Sequence, residues 1–332
     1  LYSSLPVLRP FPRFCLLEGM TPIQRLVSLE KALGERCAIF VKRDDLMGIG
    51  GGGNKLRKLE FLIGQAKSEG KDTLITVGAR QSNHARLTAA SAAVAGLGAE
   101  LVLARLVPKT DDDYLFNGNP LLDGLFGATV HDLPGDADTL AFAQQRAEAL
   151  GGRALVIPAG GSSAIGMLGY AGAAAEIAQQ EVALGRRFDK VLLANGSHGT
   201  QAGLVAGFKA QGLGGKVLGY TVLAPLAEAK AQTLAKAREV GALLGIEVDE
   251  ADIAINGEHR GPGYGIETDE MKAALKLMAQ TQGLLLDPVY SGKAFAGMLA
   301  GIRAGQFDGQ SLLFVMTGGT PGLYAYRQAL GG

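Results

Sequence analysis

Residues 190–210 read KVLLANGSHGTQAGLVAGFKA: an apolar run, a turn of glycines and hydroxyl residues, then an Ala- and Leu-rich stretch. The order is strand, tight turn, helix. The same order recurs along the chain, with strands expected at 39–42, 73–77, 100–104, 154–157, 190–194, 217–222 and 312–315. Helices are expected between them at 54–69, 82–97, 137–150, 163–183, 200–210, 228–244, 269–282 and 292–304. Such alternation implies parallel sheets with crossover helices, and near-continuous apolar strands imply burial on both faces. A single eight-unit barrel fits the length, but the units are unevenly spaced and the long glycine turns fall in two places, near 48–53 and 195–203. The fold class expected is α/β, with two doubly wound parallel-sheet domains and an active site in the cleft between them. No internal repeat or low-complexity linker marks a boundary, so the chain is expected to cross between domains more than once.

Composition narrows the function. The 32 Lys and Arg balance 32 Asp and Glu, so the basic footprint of a nucleic-acid binder and a polybasic membrane patch are both missing. With 47% hydrophobic and 19% charged residues the chain can bury a large core. No apolar window is long enough to suggest a spanning helix. Cys15 and Cys37 form no CxxC and are too few for a disulfide framework. The N-terminal LYSSLPVLRPFPRFCLL, broken by Pro6, Pro10 and Pro12, does not read as a signal peptide, so a cytoplasmic protein is the default expectation. The 49 glycines, with only 12 prolines and no collagen period, must serve tight turns and close backbone approaches.

Two glycine loops carry the chemistry. In GIGGGG, residues 48–53, Gly48, Gly50 and Gly53 satisfy GxGxxG between a strand and a helix. A dinucleotide site also needs an acid at the far end of the next strand; here Asp72 stands at its beginning. What the loop does deliver is Asn54-Lys55 at a helix start, with Arg43, Arg57 and Lys58 nearby. One reading is a solvated basic face. The other is a cleft lysine whose pKa is depressed by neighbouring cations, giving a nucleophilic amine. The second loop, 194–204, aims backbone N–H groups from Gly196 to Thr200 at a helix N-terminus, which suits a phosphate monoester; a ligand-free turn is the alternative. One phosphate cradle with one imine-forming lysine outlines pyridoxal phosphate chemistry. No metal-ligand spacing joins His84, His131, His198 and His259.

The segments RDDLMGIGGGGNKLRKLEFL, TLITVGARQSNHARLTAA, NGSHGTQAGL, GPGYG, DPVYSGKA and MTGGTPGLYAY, in this order, resemble the D-cysteine desulfhydrase / 1-aminocyclopropane-1-carboxylate deaminase family. Its members are pyridoxal 5'-phosphate enzymes of the tryptophan synthase β-like fold (fold type II). The resemblance implies that Lys55 is the internal aldimine lysine and the proton shuttle at Cα. Asn83 would hydrogen-bond the cofactor's phenolic oxygen. Lys58 and the loop Gly196, Ser197, His198, Gly199 and Thr200 would hold the phosphate. Ser82, Asn83 and His84 would meet the substrate carboxylate, and Tyr264 and Tyr290 would line the substrate side, with Lys55, Ser82, Tyr264 and Tyr290 the catalytic set. Ser82 could instead simply cap its helix, and Tyr264 could be turn packing. A large domain of residues 1–54 plus 166–332, a small domain of 55–165 and a homodimer are expected with the family.

Within the family, the cyclopropane-opening deaminases resemble DPVYEGK, with a glutamate meeting the pyridine nitrogen, and carry a leucine before the later GG pair. This chain has Ser291 and Thr317 there, as in the desulfhydrase branch. A neutral Thr317 leaves a weaker electron sink, sufficient when thiolate departs from Cβ. The expected reaction is β-elimination of D-cysteine to pyruvate, sulfide and ammonia. L-cysteate sulfo-lyase and 1-aminocyclopropane-1-carboxylate deaminase are the alternatives on the same scaffold, and a non-catalytic pyridoxal phosphate binder is the alternative of another class.

Overall fold

The structure is a computed structural model that describes residues 5–331; the first four residues of the N-terminal segment and Gly332 lie outside it. Its strands are β1 (Ile23–Arg25), β2 (Ala38–Arg43), β3 (Thr73–Ala79), β4 (Gly98–Ala104), β5 (Thr129–Leu133), β6 (Ala154–Ile157), β7 (Lys190–Asn195), β8 (Val217–Thr221), β9 (Ala254–Asn256) and β10 (Ser311–Met316). They form a six-stranded sheet in the order β1-β2-β10-β7-β8-β9 and a four-stranded sheet in the order β5-β4-β3-β6. Only the β1–β2 pair is antiparallel among them. The expected α/β class with two parallel sheets is the fold observed.

All seven strands expected from the sequence form. The three not expected, β1, β5 and β9, are all sheet edges. An edge strand has one neighbour and one wet side, so it lacks the unbroken apolar run that announces a central strand. Thus β5, TVHDL, mixes polar and apolar residues and has no fully buried position, whereas all six residues of the central β10 are buried.

The cores lie between each sheet and its helices. Helix Ala164–Ala183 packs on helix Gly199–Lys209 and on helix Lys55–Ser68 with almost no spacing, because glycines stand at the crossings. A Cβ at Gly207 would lie 2.6 Å from Ala171 Cα, and one at Gly169 only 2.1 Å from the Arg57 carbonyl oxygen. Part of the glycine excess is therefore spent inside helices, on backbone contact.

A buried ionic cluster fixes the helix that begins with Lys55. The Arg57 guanidinium donates to Asp44 at 2.8 Å and to Glu176 at 2.8 Å, Lys42 Nζ donates to Glu176 at 2.5 Å, and the Tyr170 hydroxyl donates to Asp44 at 2.6 Å. All five are at most 1% exposed. Arg43 is paired with Asp45. The cations around Lys55 therefore do not form a solvated basic face; burial spends them on holding β2, the glycine loop and two helices together.

Candidate active site

The carboxyl ends of β3, β4, β7 and β10 and the turn after β6 converge on one pocket between the sheets, which is where open α/β sheets bind ligands. Lys55, Ser82, Asn83, His84, Gly196, Ser197, His198, Thr200, Tyr264, Tyr290 and Thr317 all line it. Lys58 and Gly199 do not line it: Lys58 stands one layer behind, beneath Gly199 of the 196–200 loop.

Lys55 is the first residue of its helix. The Asn54 N–H donates to the Thr317 carbonyl at 3.0 Å, and Asn54 Nδ2 donates to Thr200 Oγ1 at 3.2 Å. These two bonds tie the helix start to both turns of the larger sheet. The glycine run before it has no substitute at Gly52: with φ at +77°, a Cβ would stand 2.1 Å from the Asp45 carbonyl oxygen. Burial pushes the Lys55 ammonium down to about 8, while the charge of Asp287 works against the shift. Asp287 itself is spent on the start of helix Ser291–Arg303. It accepts from the N–H groups of Val289, Tyr290 and Ser291 at 2.9, 2.8 and 2.7 Å and from the Ser291 hydroxyl at 2.6 Å.

Ser82 caps helix Asn83–Ala95, its Oγ accepting from the Ala85 N–H at 3.1 Å, and it also lines the pocket; capping and facing the ligand space are not exclusive here. Asn83 follows. Asn119 Nδ2 donates to Asn83 Oδ1 at 3.0 Å, which leaves the Asn83 NH2 as the free end of that amide. His84 is 3% exposed, with Nε2 2.8 Å from the Thr76 hydroxyl and Nδ1 without a partner. Burial, then Lys55 and Lys58, push its pKa well down, so the ring is neutral.

The 196–200 loop rests on a layer of which sequence reading supplied only Lys58. Ser197 Oγ lies 2.9 Å from Ser162 Oγ, and Lys58 Nζ donates to Ser162 Oγ at 2.9 Å and to the Gly160 carbonyl at 3.0 Å. Lys236 Nζ donates to the Ser162 carbonyl at 2.9 Å. A Cβ on Gly199 would fall 2.4 Å from Ser162 Oγ and 2.9 Å from Lys58 Nζ. No carboxylate pairs with Lys58 among the described residues, and burial, then Lys55 and Lys236, push its pKa well below 10.5. A buried lysine with no carboxylate beside it suits an anionic ligand group. His198 holds the left-handed φ of +66° that starts the helix, with Nδ1 2.8 Å from Asn195 Oδ1; burial, then Lys236 and Lys58, push its pKa down to about 4.

On the opposite wall the Tyr264 and Tyr290 hydroxyls lie 2.5 Å apart. Burial raises both phenols above their ordinary pKa. Tyr264 packs beside its turn and also lines the pocket. Tyr290 Cε1 would stand 2.9 Å from a Cβ at Gly196, so that glycine makes room for the ring.

The donor set fits pyridoxal phosphate: an amine of lowered pKa, a free amide donor, a backbone cradle and an unpaired lysine beneath it. Sequence reading missed Asn119, Asp287, Ser162 and Lys236. Asp287 alone carried a local signal, an acid just before a helix. Each of the four histidines has a side-chain neighbour within hydrogen-bond range. Among the described residues no group of three or more His, Cys, Asp or Glu is placed to hold a metal, and no helix is long and apolar enough to cross a membrane.

Comparison with known proteins agrees with this geometry. Residues 15–318 match the family model described as pyridoxal-phosphate dependent enzyme. The chain is 44% identical to a D-cysteine desulfhydrase of Salmonella newport, covering 96% of this chain and 97% of that protein. It is 45% identical to a D-cysteine desulfhydrase of Klebsiella pneumoniae, covering 98% and 100%. A crystal structure of an ACC deaminase homologue superposes with a TM-score of 0.88 at 37% identity, covering 98% of each chain. A T.th. threonine deaminase, with a TM-score of 0.64 at 21% identity over 96% of each chain, shares the fold. The lysine pocket and the full-length likeness lead to one assignment: this chain belongs to the pyridoxal-phosphate dependent enzyme family.

Proposed function

We propose that this enzyme is a D-cysteine desulfhydrase, a carbon–sulfur lyase converting D-cysteine and water to pyruvate, hydrogen sulfide and ammonia. The observation that carries the reading is the near full-length likeness to D-cysteine desulfhydrases, joined to Ser291 and Thr317 at the two branch positions. Ser291 turns to Asp287, so position 291 presents no carboxylate to the pocket, and Thr317 offers a neutral hydroxyl there.

In this reading Lys55 would carry the cofactor, Asn83 would hydrogen-bond its phenolic oxygen, Lys58 and residues Gly196 to Thr200 would hold its phosphate, and Thr317 would meet its ring nitrogen. When bound, the cofactor supplies an electron sink for the substrate's Cα. The remaining work belongs to the chain. Ser82, Asn83 and His84 orient the substrate carboxylate at a helix start. The Lys55 amine takes the Cα proton; the C–H electron pair becomes the Cα–Cβ double bond, and the Cβ–S bond breaks with its pair leaving on sulfur. Tyr264 and Tyr290 share one hydrogen bond between two hydroxyls, so one O–H stays free to donate to the departing thiolate. We place the domain division at 1–54 plus 166–332 and 55–165, and the enzyme in the cytoplasm as a homodimer.

The structural likeness to the ACC deaminase homologue favours a second reading, opening of 1-aminocyclopropane-1-carboxylate. A 2-oxo acid release assay over D-cysteine, L-cysteine, L-cysteate, D-serine and 1-aminocyclopropane-1-carboxylate tests both, reading pyruvate from the first four and 2-oxobutanoate from the last, with sulfite measured for L-cysteate and ammonia for every substrate. D-cysteine is expected to react fastest. A faster L-cysteate or cyclopropane reaction overturns the assignment, and no turnover of any substrate supports a pyridoxal phosphate binder instead.

A further inference from the structure

Tyr264 lies in an irregular segment between β9 and helix Asp269–Gln282, flanked by Gly261 and Gly265, each at φ +70°. The glycines give this segment many backbone states to choose from, and Pro262 restricts only its own φ and the residue before it. The selection comes from another element. Lys293, on helix Ser291–Arg303, is 0% exposed, and its Nζ donates at 2.8 Å to the Arg260 carbonyl and at 2.8 Å to the Gly263 carbonyl. Among the described residues no carboxylate forms an ion pair with it. Burial pushes its ammonium down to about 8; Arg260 acts in the same direction, and Glu267 and Asp287 oppose it. Burying an amine without a counter-ion is costly, and a methionine or leucine would fill the same helix face without that cost. The cost is explained by the two carbonyls.

We propose that Lys293 is a positioning residue that clasps the Arg260 and Gly263 carbonyls and so sets Tyr264 against Tyr290 at the pocket wall. One helix start then places both phenols, since Tyr290 immediately precedes the helix that carries Lys293. The inference rests on the reading of Tyr264 as a substrate-side group, and the two are separable by experiment.

Hydrogen exchange and steady-state kinetics on the cofactor-loaded enzyme test it, with K293M, K293R, Y264F and K293M/Y264F. In K293M, exchange across residues 260–266 should rise about tenfold or more while helix Ala164–Ala183 is unchanged. Its kcat should fall as far as that of Y264F, K293R should recover most of the loss, and the double variant should be no worse than either single one. Unchanged exchange at 260–266, or a double variant showing the product of the two losses, overturns the clasp. Full turnover by Y264F would remove Tyr264 from the chemistry while the exchange result still decides what Lys293 does. If K293M does not fold, K293Q, which keeps an amide donor for one carbonyl, is compared in the same way.

Discussion

Asn119 Nδ2 donates to Asn83 Oδ1 at 3.0 Å and to the Gln81 carbonyl at 2.9 Å, so a residue on one short helix decides which end of the Asn83 amide faces the pocket. Without that bond the Asn83 amide is free to turn over and present its oxygen. Replacing a buried donor of this kind costs about 1–3 kcal/mol when its partner is left unsatisfied. Asn119→Ala is expected to weaken pyridoxal phosphate binding by about fivefold at the lower end of that range and more above it, read by titrating the apoenzyme in the visible absorbance band. Unchanged affinity would mean that Asn83 does not depend on Asn119.

The lowered pKa of Lys55 gives a pH signature. Only the neutral amine attacks an aldehyde, and burial brings the midpoint from 10.5 to about 8. The rate of cofactor attachment to apoenzyme should therefore rise up to about pH 8 and level above it, rather than climbing toward 10.5. The folding linkage has the opposite sense to that of a salt-bridged lysine. Between about 8 and 10.5 the unfolded chain holds a proton that the folded one lacks, so this group's contribution to apoenzyme stability improves with rising pH. Lys55→Ala should abolish both the attachment and sulfide release; mass spectrometry after borohydride reduction measures the first.

Gly199 tests the cradle through space alone. A methyl there meets Ser162 Oγ at 2.4 Å and Lys58 Nζ at 2.9 Å, so Gly199→Ala must displace the lysine beneath the loop. Retention of the cofactor on a desalting column should fall well below wild type, while unloaded protein keeps its thermal midpoint within a few degrees. Wild-type retention would show that Lys58 and the loop act independently.

Arg57 stabilises rather than reacts. Burial by itself would raise the pKa of Asp44 and Glu176, but the charge and hydrogen bonds of Arg57 outweigh it and hold both below their ordinary values. That stability is present above about pH 4 and is lost as pH falls through the depressed values. Arg57→Met leaves two buried carboxylates short of a partner and should cost about 3–5 kcal/mol. Urea unfolding at neutral pH measures it; a loss below 1 kcal/mol would show that Lys42 alone suffices.

The elements that could be read from the chain were those whose evidence is local. β10 and β7 are apolar over consecutive residues because both faces are covered, and the turn at 195–200 is glycine-rich because the backbone itself must approach a ligand or a neighbour. The edge strands β1, β5 and β9 escaped because a strand with one open side needs no such pattern. The pocket followed the same division. Lys55 and Ser82 stand at helix starts that local sequence marks, whereas Asn119, Ser162, Lys236 and Lys293 are ordinary polar residues until folding carries them beside Asn83, the 196–200 loop and the Tyr264 segment.

By itself, then, the sequence determined the alternation of buried strands and helices and the glycine turns that precede Lys55 and form the 196–200 loop. Those follow from hydrophobic periodicity and backbone freedom, properties of neighbouring residues. Only the tertiary structure decided that Lys58 is buried without a counter-charge, that Asn83 faces the pocket with its amide donors, and that two tyrosines 26 positions apart share a hydrogen bond. Burial and hydrogen-bond direction are set by contacts between distant segments, and no local pattern contains them.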